Sequence, residues 1–170
     1  MSNIEVKTLH SSFQALLDRL RTEVLRFYGD RLVSLVVYGS VGRGTMREDS
    51  DVDLLIVAQN LPRGRMARVR EFEQVEQALE SFLLEMRKQG IETYLSPLFK
   101  TKEEALAGSP IFLDMVEDAR ILYDRDSFFA SRLRELKQRL EILGARRIRR
   151  GSAWYWDLKP DYKPGDVIEL

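Results

Sequence analysis

The sequence predicts an α/β (α+β) protein built on a small mixed β-sheet of about four strands flanked by helices. Apolar residues recur at helical spacing in three long stretches of the chain. Short apolar runs lie between these stretches, and their length and bounding turn residues are typical of strands. Gly29, Gly90 and Gly144 stand directly after the helical patterns, where a left-handed residue commonly ends a helix.

The predicted elements follow one another without an internal repeat or a low-complexity linker. Their order is helix 9–28, strand 31–38, strand 51–58, helix 66–89, strand 91–99, two short helices, strand 120–124 and helix 129–143. Thr101 and Glu104 form a capping box for the first short helix. Ser109 and Pro110 fit the N-cap and first helical position of the second. Pro97 confines its end of the third strand to a sheet edge or a strand terminus.

The length of 170 residues favours a single domain, able to bury roughly 70% of its unfolded surface. We assign residues 1–150 to this domain. From Gly151 the composition changes, with two Trp, two Pro and two Gly in a short stretch. Residues 151–170 are therefore predicted to form an irregular, aromatic- and Pro-rich C-terminal arm packed on the domain.

The composition restricts the chemistry that the chain can support. It contains no Cys and a single His, His10, which excludes zinc–thiolate sites, multi-His metal sites and a thiol nucleophile. Carboxylate oxygens are the remaining metal ligands, and they favour a hard cation such as Mg²⁺ or Mn²⁺. No apolar run approaches the ~20 residues of a membrane span, and no signal peptide is recognisable. We therefore expect a cytoplasmic protein that does not contact a membrane.

A nucleic-acid partner is possible from the sequence but not favoured. The 27 Lys and Arg residues balance the 27 Asp and Glu residues, so no overall field attracts a polyanion. The arginines of 146–150 could follow a phosphate backbone, and Trp154 and Trp156 could stack on bases. Basic residues also commonly finish helices, and aromatic residues commonly cover a domain's own surface.

The stretch "VVYGSVGRGTMREDSDVDLLIV", residues 36–57, places Asp51 and Asp53 in an apolar strand. An unpaired buried carboxylate costs several kcal/mol or is forced to take up a proton. Residues i and i+2 of a strand point to one face, so the two carboxylates lie side by side. This arrangement predicts a site for one or two divalent cations.

The same stretch places phosphate-binding features directly before these aspartates. Gly39 and Ser40 follow the first strand, and glycine lets a backbone approach a phosphate closely. The Ser40 hydroxyl and the Arg43 guanidinium can add hydrogen bonds to phosphate oxygens. We predict that Gly39, Ser40 and Arg43 bind the triphosphate of a nucleotide.

Two other motif interpretations fail at specific positions. Gly39, Gly44 and Thr45 match the glycine spacing of a P-loop, but Arg43 stands before Gly44 and no Lys follows it. A nucleophile elbow needs a glycine where Tyr38 stands, and a histidine relay that the chain lacks.

Gly39-Ser40, ten intervening residues and Asp51-x-Asp53 between two strands resemble the signature of the polymerase-β-type nucleotidyltransferase superfamily, especially its minimal nucleotidyltransferase branch. The resemblance implies a nucleotidyltransferase fold and transfer of a nucleoside monophosphate, usually AMP from ATP, to an acceptor hydroxyl. It also implies that Asp51 and Asp53 hold the metal, while Gly39 and Ser40 bind the β and γ phosphates.

The resemblance further implies a third carboxylate on a neighbouring strand, for which Glu92 is the candidate. Stand-alone minimal members resemble antitoxins that adenylylate a partner toxin of the HEPN class, so a protein is one possible acceptor. The alternative is a catalytically weak nucleotide-binding or partner-binding module with the same fold. That alternative applies if Glu92 points away from the metal face.

Overall fold

The structure is a computed structural model that describes residues 3–151, 153–163 and 165–168. Its helices are α1 (Asn3–Tyr28), α2 (Gly39–Arg43), α3 (Arg65–Lys88), α4 (Lys102–Leu106), α5 (Phe112–Asp118) and α6 (Phe128–Ile142). Its strands are β1 (Leu32–Tyr38), β2 (Val52–Ala58), β3 (Leu95–Lys100), β4 (Arg120–Asp124), β5 (Arg146–Arg150) and β6 (Ala153–Asp157).

Four strands form a mixed sheet in the order β3-β2-β1-β4. The central strand β1 pairs antiparallel with β2 and β4, and β2 pairs parallel with the edge strand β3. The register places Tyr38 opposite Asp53 and Asp53 opposite Ser96. The C-terminal end of β1 therefore lies beside the N-terminal ends of β2 and β3, at one end of the strands. The predicted mixed α/β fold is confirmed.

Alternate residues of the central strands enter two separate cores. On one face, Leu54 and Ile56 of β2 pack with apolar residues of α1 and α3, including Phe13, Leu17, Phe72 and Leu79. On the other face, Leu55 and Val57 pack with apolar residues of α5 and α6, including Phe112, Met115 and Phe129. Asp53 belongs to the second face because it lies two residues before Leu55.

Two predicted boundaries are corrected by the structure, and one predicted cap is confirmed. Strand β3 begins at Leu95 instead of residue 91, because the backbone N–H of Ile91 bonds to Met86 and that of Glu92 bonds to Glu48. Helix α5 begins at Phe112, so Ser109 and Pro110 form the turn before it. The capping box of Thr101 and Glu104 at α4 is confirmed.

The C-terminal region contains regular structure where an irregular arm was predicted. Strands β5 and β6 pair antiparallel, with Arg147 opposite Trp156 and Arg149 opposite Trp154. The arginines of 146–150 therefore form a strand and do not finish a helix. The two strands of this hairpin lie on either side of the predicted boundary at residue 150. The division of the chain into a domain of residues 1–150 and an arm of residues 151–170 stays a prediction. Within the described ranges, no helix combines the length and apolar character needed to cross a membrane.

A stability test follows from the capping of α6 by Asp124. Its carboxylate accepts hydrogen bonds from the Ser34 hydroxyl and from the backbone N–H groups of Phe129 and Ala130. Asp124→Ala removes all three hydrogen bonds and leaves the fully buried Ser34 hydroxyl without that partner, so we expect a loss of about 2 kcal/mol in unfolding free energy. Ser34→Ala keeps the cap and should cost about 1 kcal/mol. Urea denaturation measures both, and equal losses would contradict the capping role.

Candidate active site

Asp51 and Asp53 form the centre of the site at the edge where β1, β2 and β3 meet. Asp53 is half-buried as the second residue of β2, and Asp51 is exposed directly before that strand. Burial raises the pKa of Asp53, and the negative charge of Asp51 raises it further. A hydrogen bond from Ser96 and the positive charge of Arg43 act in the opposite direction. The two carboxylates therefore carry an incompletely balanced negative charge.

Gly39 lies against the Asp53 carboxylate. Its backbone is left-handed, with φ of 67°, and a Cβ built on it would overlap Asp53 Oδ2. Only glycine fits both the conformation and the contact. Ser40 follows as the second residue of α2, and its carbonyl oxygen accepts the backbone N–H of Thr45 at 2.9 Å. The structure thus brings Gly39 and Asp53 together, with Ser40 next in the chain.

Arg43 is engaged by a residue outside the predicted site. Its Nη1 donates to Oδ2 of Asp118 at 2.6 Å, while 37% of its side chain remains exposed. Its charge still acts on Asp53 and opposes the rise in the pKa of that carboxyl group. A phosphate contact by Arg43 stays a prediction, and it would compete with the bond to Asp118.

Asp118 is a member of this region that sequence reasoning missed. It is only 5% exposed, and Arg147 donates to both of its oxygens, at 3.1 and 2.9 Å. Burial alone would raise the pKa of Asp118, but hydrogen bonds from Arg147 and Arg43 hold it below the ordinary value. Its arginine partners are 75 and 29 residues away in the chain, so no local pattern signals the cluster.

Glu92 does not lie in a strand, which corrects the sequence prediction. It is exposed in the segment before β3, and its backbone N–H donates to the carbonyl of Glu48 at 2.8 Å. The β3 residue opposite Asp53 is Ser96, whose hydroxyl donates a hydrogen bond to that carboxylate. In the part of the chain that the structure describes, no three His, Cys, Asp or Glu side chains are grouped to hold a metal ion.

The residues present nevertheless fit a divalent cation held by two carboxylates. Mg²⁺ commonly takes one or two protein carboxylates and completes its shell with water and substrate phosphates. Burial raises the pKa of Asp53 most, and the negative charge of Asp51 raises it further. A cation between the two carboxylates would offset this second contribution, because it would attract both charges. Asp51 and Asp53 supply the hard oxygen ligands that such an ion prefers.

A cleft of about 550 Å³ adjoins the site along β3. Tyr38 and Ser96, both neighbours of Asp53 in the sheet, line one part of it. Arg65 and Lys100 line another part, so the cleft has a basic region. Its volume is in the range of small-molecule sites.

Comparison with known proteins agrees with this geometry. A family model described as a nucleotidyltransferase domain matches residues 17–123. A protein of Methanocaldococcus jannaschii named "Putative protein adenylyltransferase MJ1305" is 33% identical over 125 residues, which span 72% of this chain and 79% of that protein. The matched family segment contains Gly39, Asp53 and Asp118 and ends before the β5–β6 hairpin.

Two solved structures have a weaker likeness to the chain. A crystal structure of a toxin-antitoxin with AMP-PNP gives a TM-score of 0.44 at 17% identity and covers 72% of this chain and 90% of that chain. The toxin-antitoxin MntA-HepT gives 0.40 at 15% identity and covers 72% and 88%, respectively. At these scores the likeness supports no statement about ligands or partners of this chain.

The contact between Gly39 and Asp53 can be tested by a double-mutant cycle. Gly39→Ala adds a Cβ that overlaps the carboxylate, so we expect a loss of about 3 kcal/mol in unfolding free energy. Gly44→Ala is the matched control, because Gly44 is also left-handed but has open space around its Cβ position. The control should cost about 1 kcal/mol. In an Asp53→Ala background the cost of Gly39→Ala should fall to that of the control, and an unchanged cost would contradict the contact.

The raised pKa of Asp53 predicts a pH-dependent gain of stability in Asp53→Asn. A carboxyl whose pKa is higher in the folded state destabilises the fold when ionised, and the penalty disappears as the pH falls through the folded-state value. Asp53→Asn should therefore have a higher Tm than the wild type at neutral pH. The difference should vanish below the ordinary value of 3.8.

Thermal unfolding across this pH range measures the effect, with Asp49→Asn as the control because Asp49 is exposed and pairs with Arg47. Mg²⁺ should raise the Tm of the wild type more than that of Asp53→Asn. If the wild type has a higher Tm than Asp53→Asn at neutral pH, the ionised Asp53 carboxylate does not destabilise the fold and the prediction is contradicted.

Proposed function

The chain belongs to the nucleotidyltransferase domain family, and from this premise we propose that it transfers AMP from ATP to an acceptor hydroxyl in a metal-dependent reaction. Membership of the family confirms the predicted class of enzyme, a nucleotidyltransferase. The observation that carries the proposal is the placement of Gly39 against Asp53, which sets the turn after β1 beside the two carboxylates.

We assign the metal to Asp51 and Asp53 and the triphosphate to the turn after β1. A bound divalent cation, Mg²⁺ or Mn²⁺, would neutralise the triphosphate and stabilise the attacking and leaving oxygens. The absence of a Cβ at Gly39 leaves room beside the carboxylates, and the Ser40 hydroxyl can donate to a phosphate oxygen. Arg43 is proposed to add a charge-assisted hydrogen bond to the same phosphates.

The reaction forms one phosphorus–oxygen bond and breaks another. The acceptor oxygen attacks the α phosphorus of ATP, the bond from that phosphorus to the bridging oxygen breaks, and pyrophosphate leaves with the bonding electron pair. The acceptor hydroxyl gives up its proton to a base. Glu92 is the predicted candidate for this base, but its position before β3 and its exposure do not support the assignment.

We propose that the acceptor hydroxyl belongs to a protein. Support comes from the M. jannaschii relative, whose name describes a protein adenylyltransferase and which shares 33% identity over 72% of this chain. The cleft is lined by Tyr38 and Ser96, the two sheet neighbours of Asp53, and has space for a substrate group near the carboxylates. A toxin of the HEPN class as the acceptor stays a prediction from the sequence resemblance.

A second candidate function is nucleotide binding with weak or no transfer. Ser96 favours it, because the β3 residue opposite Asp53 is a serine and not a third carboxylate, while Glu92 lies before that strand. A site with two carboxylates can still bind a metal–nucleotide complex. The two functions differ in turnover and not in nucleotide affinity.

Substitution of the two aspartates tests the proposed site. The purified protein is incubated with Mg²⁺, ATP labelled at the α phosphate, and cell extract proteins as acceptors. We expect Asp51→Asn and Asp53→Asn to lower labelling by about 100-fold or more, as removal of a group that stabilises the transition state does. Asp49→Asn is the matched control, because it removes an exposed carboxylate from the same loop, and it should keep wild-type labelling.

Glu92→Gln in the same assay decides the role of Glu92. A change smaller than about threefold is expected for an exposed residue outside the metal site. A loss as large as that of Asp53→Asn would restore Glu92 as the third carboxylate. Wild-type labelling by Asp53→Asn would contradict the proposed site, and tight binding of Mg²⁺–ATP by the wild type without labelling would favour the second candidate function.

A further inference from the structure

The C-terminal hairpin contacts the nucleotide-binding turn through one buried carboxylate. Asp118, the last residue of α5, accepts a hydrogen bond from Arg43 of α2 and two from Arg147 of β5. The donor–acceptor distances are 2.6, 3.1 and 2.9 Å. Three sequence-distant elements, α2, α5 and β5, therefore meet at a single side chain.

Asp118 depends on both arginines because it is 5% exposed. A buried carboxylate that loses its cationic partners must take up a proton or draw in water, and either change alters its surroundings. Arg147 makes the two-point contact that best fixes a carboxylate in orientation, and its own side chain is only 17% exposed. Arg43 makes a single contact and is more exposed. Arg147 is therefore the partner that fixes the orientation of Asp118.

The backbone of Asp118 contacts α2 as well. A Cβ built on Gly42 would overlap the carbonyl oxygen of Asp118, so α2 and the end of α5 are in close contact at this glycine. Helix α2 consists of Gly39–Arg43 and includes the Gly39 and Ser40 turn. A shift of Asp118 would therefore move the backbone that carries the turn, in addition to the Arg43 side chain.

Two aromatic residues of the hairpin contact Arg147 and α5. The Arg147 guanidinium lies 4.8 Å from the centre of the Trp154 ring, and Trp156 Nε1 donates to Asp114 of α5 at 3.2 Å. The hairpin lies outside the matched family segment, which ends at residue 123. Arg147 thus contacts Asp118 from a part of the chain beyond that segment.

We propose that Arg147 is a positioning residue for the nucleotide site: through Asp118 it fixes α2 and Arg43 beside Asp53. The inference rests on the proposed function, because α2 is the element assigned to phosphate binding. Removal of Arg147 should loosen α2 in the ligand-free protein and weaken binding of Mg²⁺–ATP.

Amide hydrogen exchange of residues 38–45 in the ligand-free full chain tests the positioning directly. Arg147→Met and Asp118→Asn should each exchange about tenfold faster than the wild type, since both uncouple the hairpin from α2. Arg149→Met is the matched control, because Arg149 lies on the same strand and contacts Trp154 but donates to the Gly151 carbonyl instead of Asp118. The control should exchange at the wild-type rate, and far-UV circular dichroism checks that every variant is folded.

The dissociation constant for Mg²⁺–ATP, measured by calorimetry, tests the consequence for the site. Arg147→Met should raise it about tenfold and Arg149→Met should leave it unchanged. Arg147→Lys should restore part of the affinity, because lysine keeps the charge but loses the two-point contact. The double variant Asp118→Asn/Arg147→Met should bind no more weakly than Asp118→Asn alone, because Arg147 acts through Asp118.

The outcomes separate this inference from the proposed function. Wild-type exchange in Arg147→Met would overturn the positioning role, and faster exchange with unchanged nucleotide affinity would overturn its link to the site. Failure of the wild-type protein to bind Mg²⁺–ATP would overturn the proposed function. Faster amide exchange in Arg147→Met would in that case still support the positioning of α2 by Arg147.

Discussion

The close approach of the Gly39 backbone to the Asp53 carboxylate is the constraint on which the site depends. It requires β1 and β2 to pair with Tyr38 opposite Asp53, because a shift of one residue would turn Asp53 toward α1 and α3. It also requires a left-handed glycine at the exit of β1. The sheet register, the start of α2 and the direction of the carboxylate are therefore set together.

The buried and half-buried carboxylates of the protein are balanced in two different ways. Asp118 is paired with two arginines, and Asp124 accepts hydrogen bonds from Ser34 and from the start of α6. These two groups have internal partners that stabilise their charge. Asp53 accepts a hydrogen bond from the Ser96 hydroxyl and lies beside a second carboxylate, Asp51, whose charge raises its pKa. The pairing of Asp53 with a second carboxylate is the feature from which the proposed cation site follows.

Local patterns predicted the elements and the centre of the site, but not the contacts between distant segments. Apolar periodicity and terminal glycines located α1, α3 and α6, and the spacing of Gly39, Asp51 and Asp53 predicted a site at which the structure brings Gly39 and Asp53 together. The sequence could not show that residues 91–94 bond to α3 and to the loop at Glu48, which leaves Glu92 outside β3. Strand β5 was missed because a run of arginines has no alternation and is paired only through β6.

The parallel pairing of β2 and β3 limits how a third acidic group could reach the metal site. The register sets Ser96 beside Asp53, and the Val52 N–H bonds to the carbonyl of Tyr94, so β3 passes the carboxylates with Ser96 and Tyr94 as their neighbours. Glu92 precedes both of these residues and is held to the loop by its backbone. In the proposed function, nucleotide binding uses the two aspartates and the turn after β1, whereas efficient transfer also needs a base for the acceptor proton. Binding and transfer are therefore separable in that proposal, and Ser96 opposite Asp53 brings a hydroxyl but no carboxylate to the site.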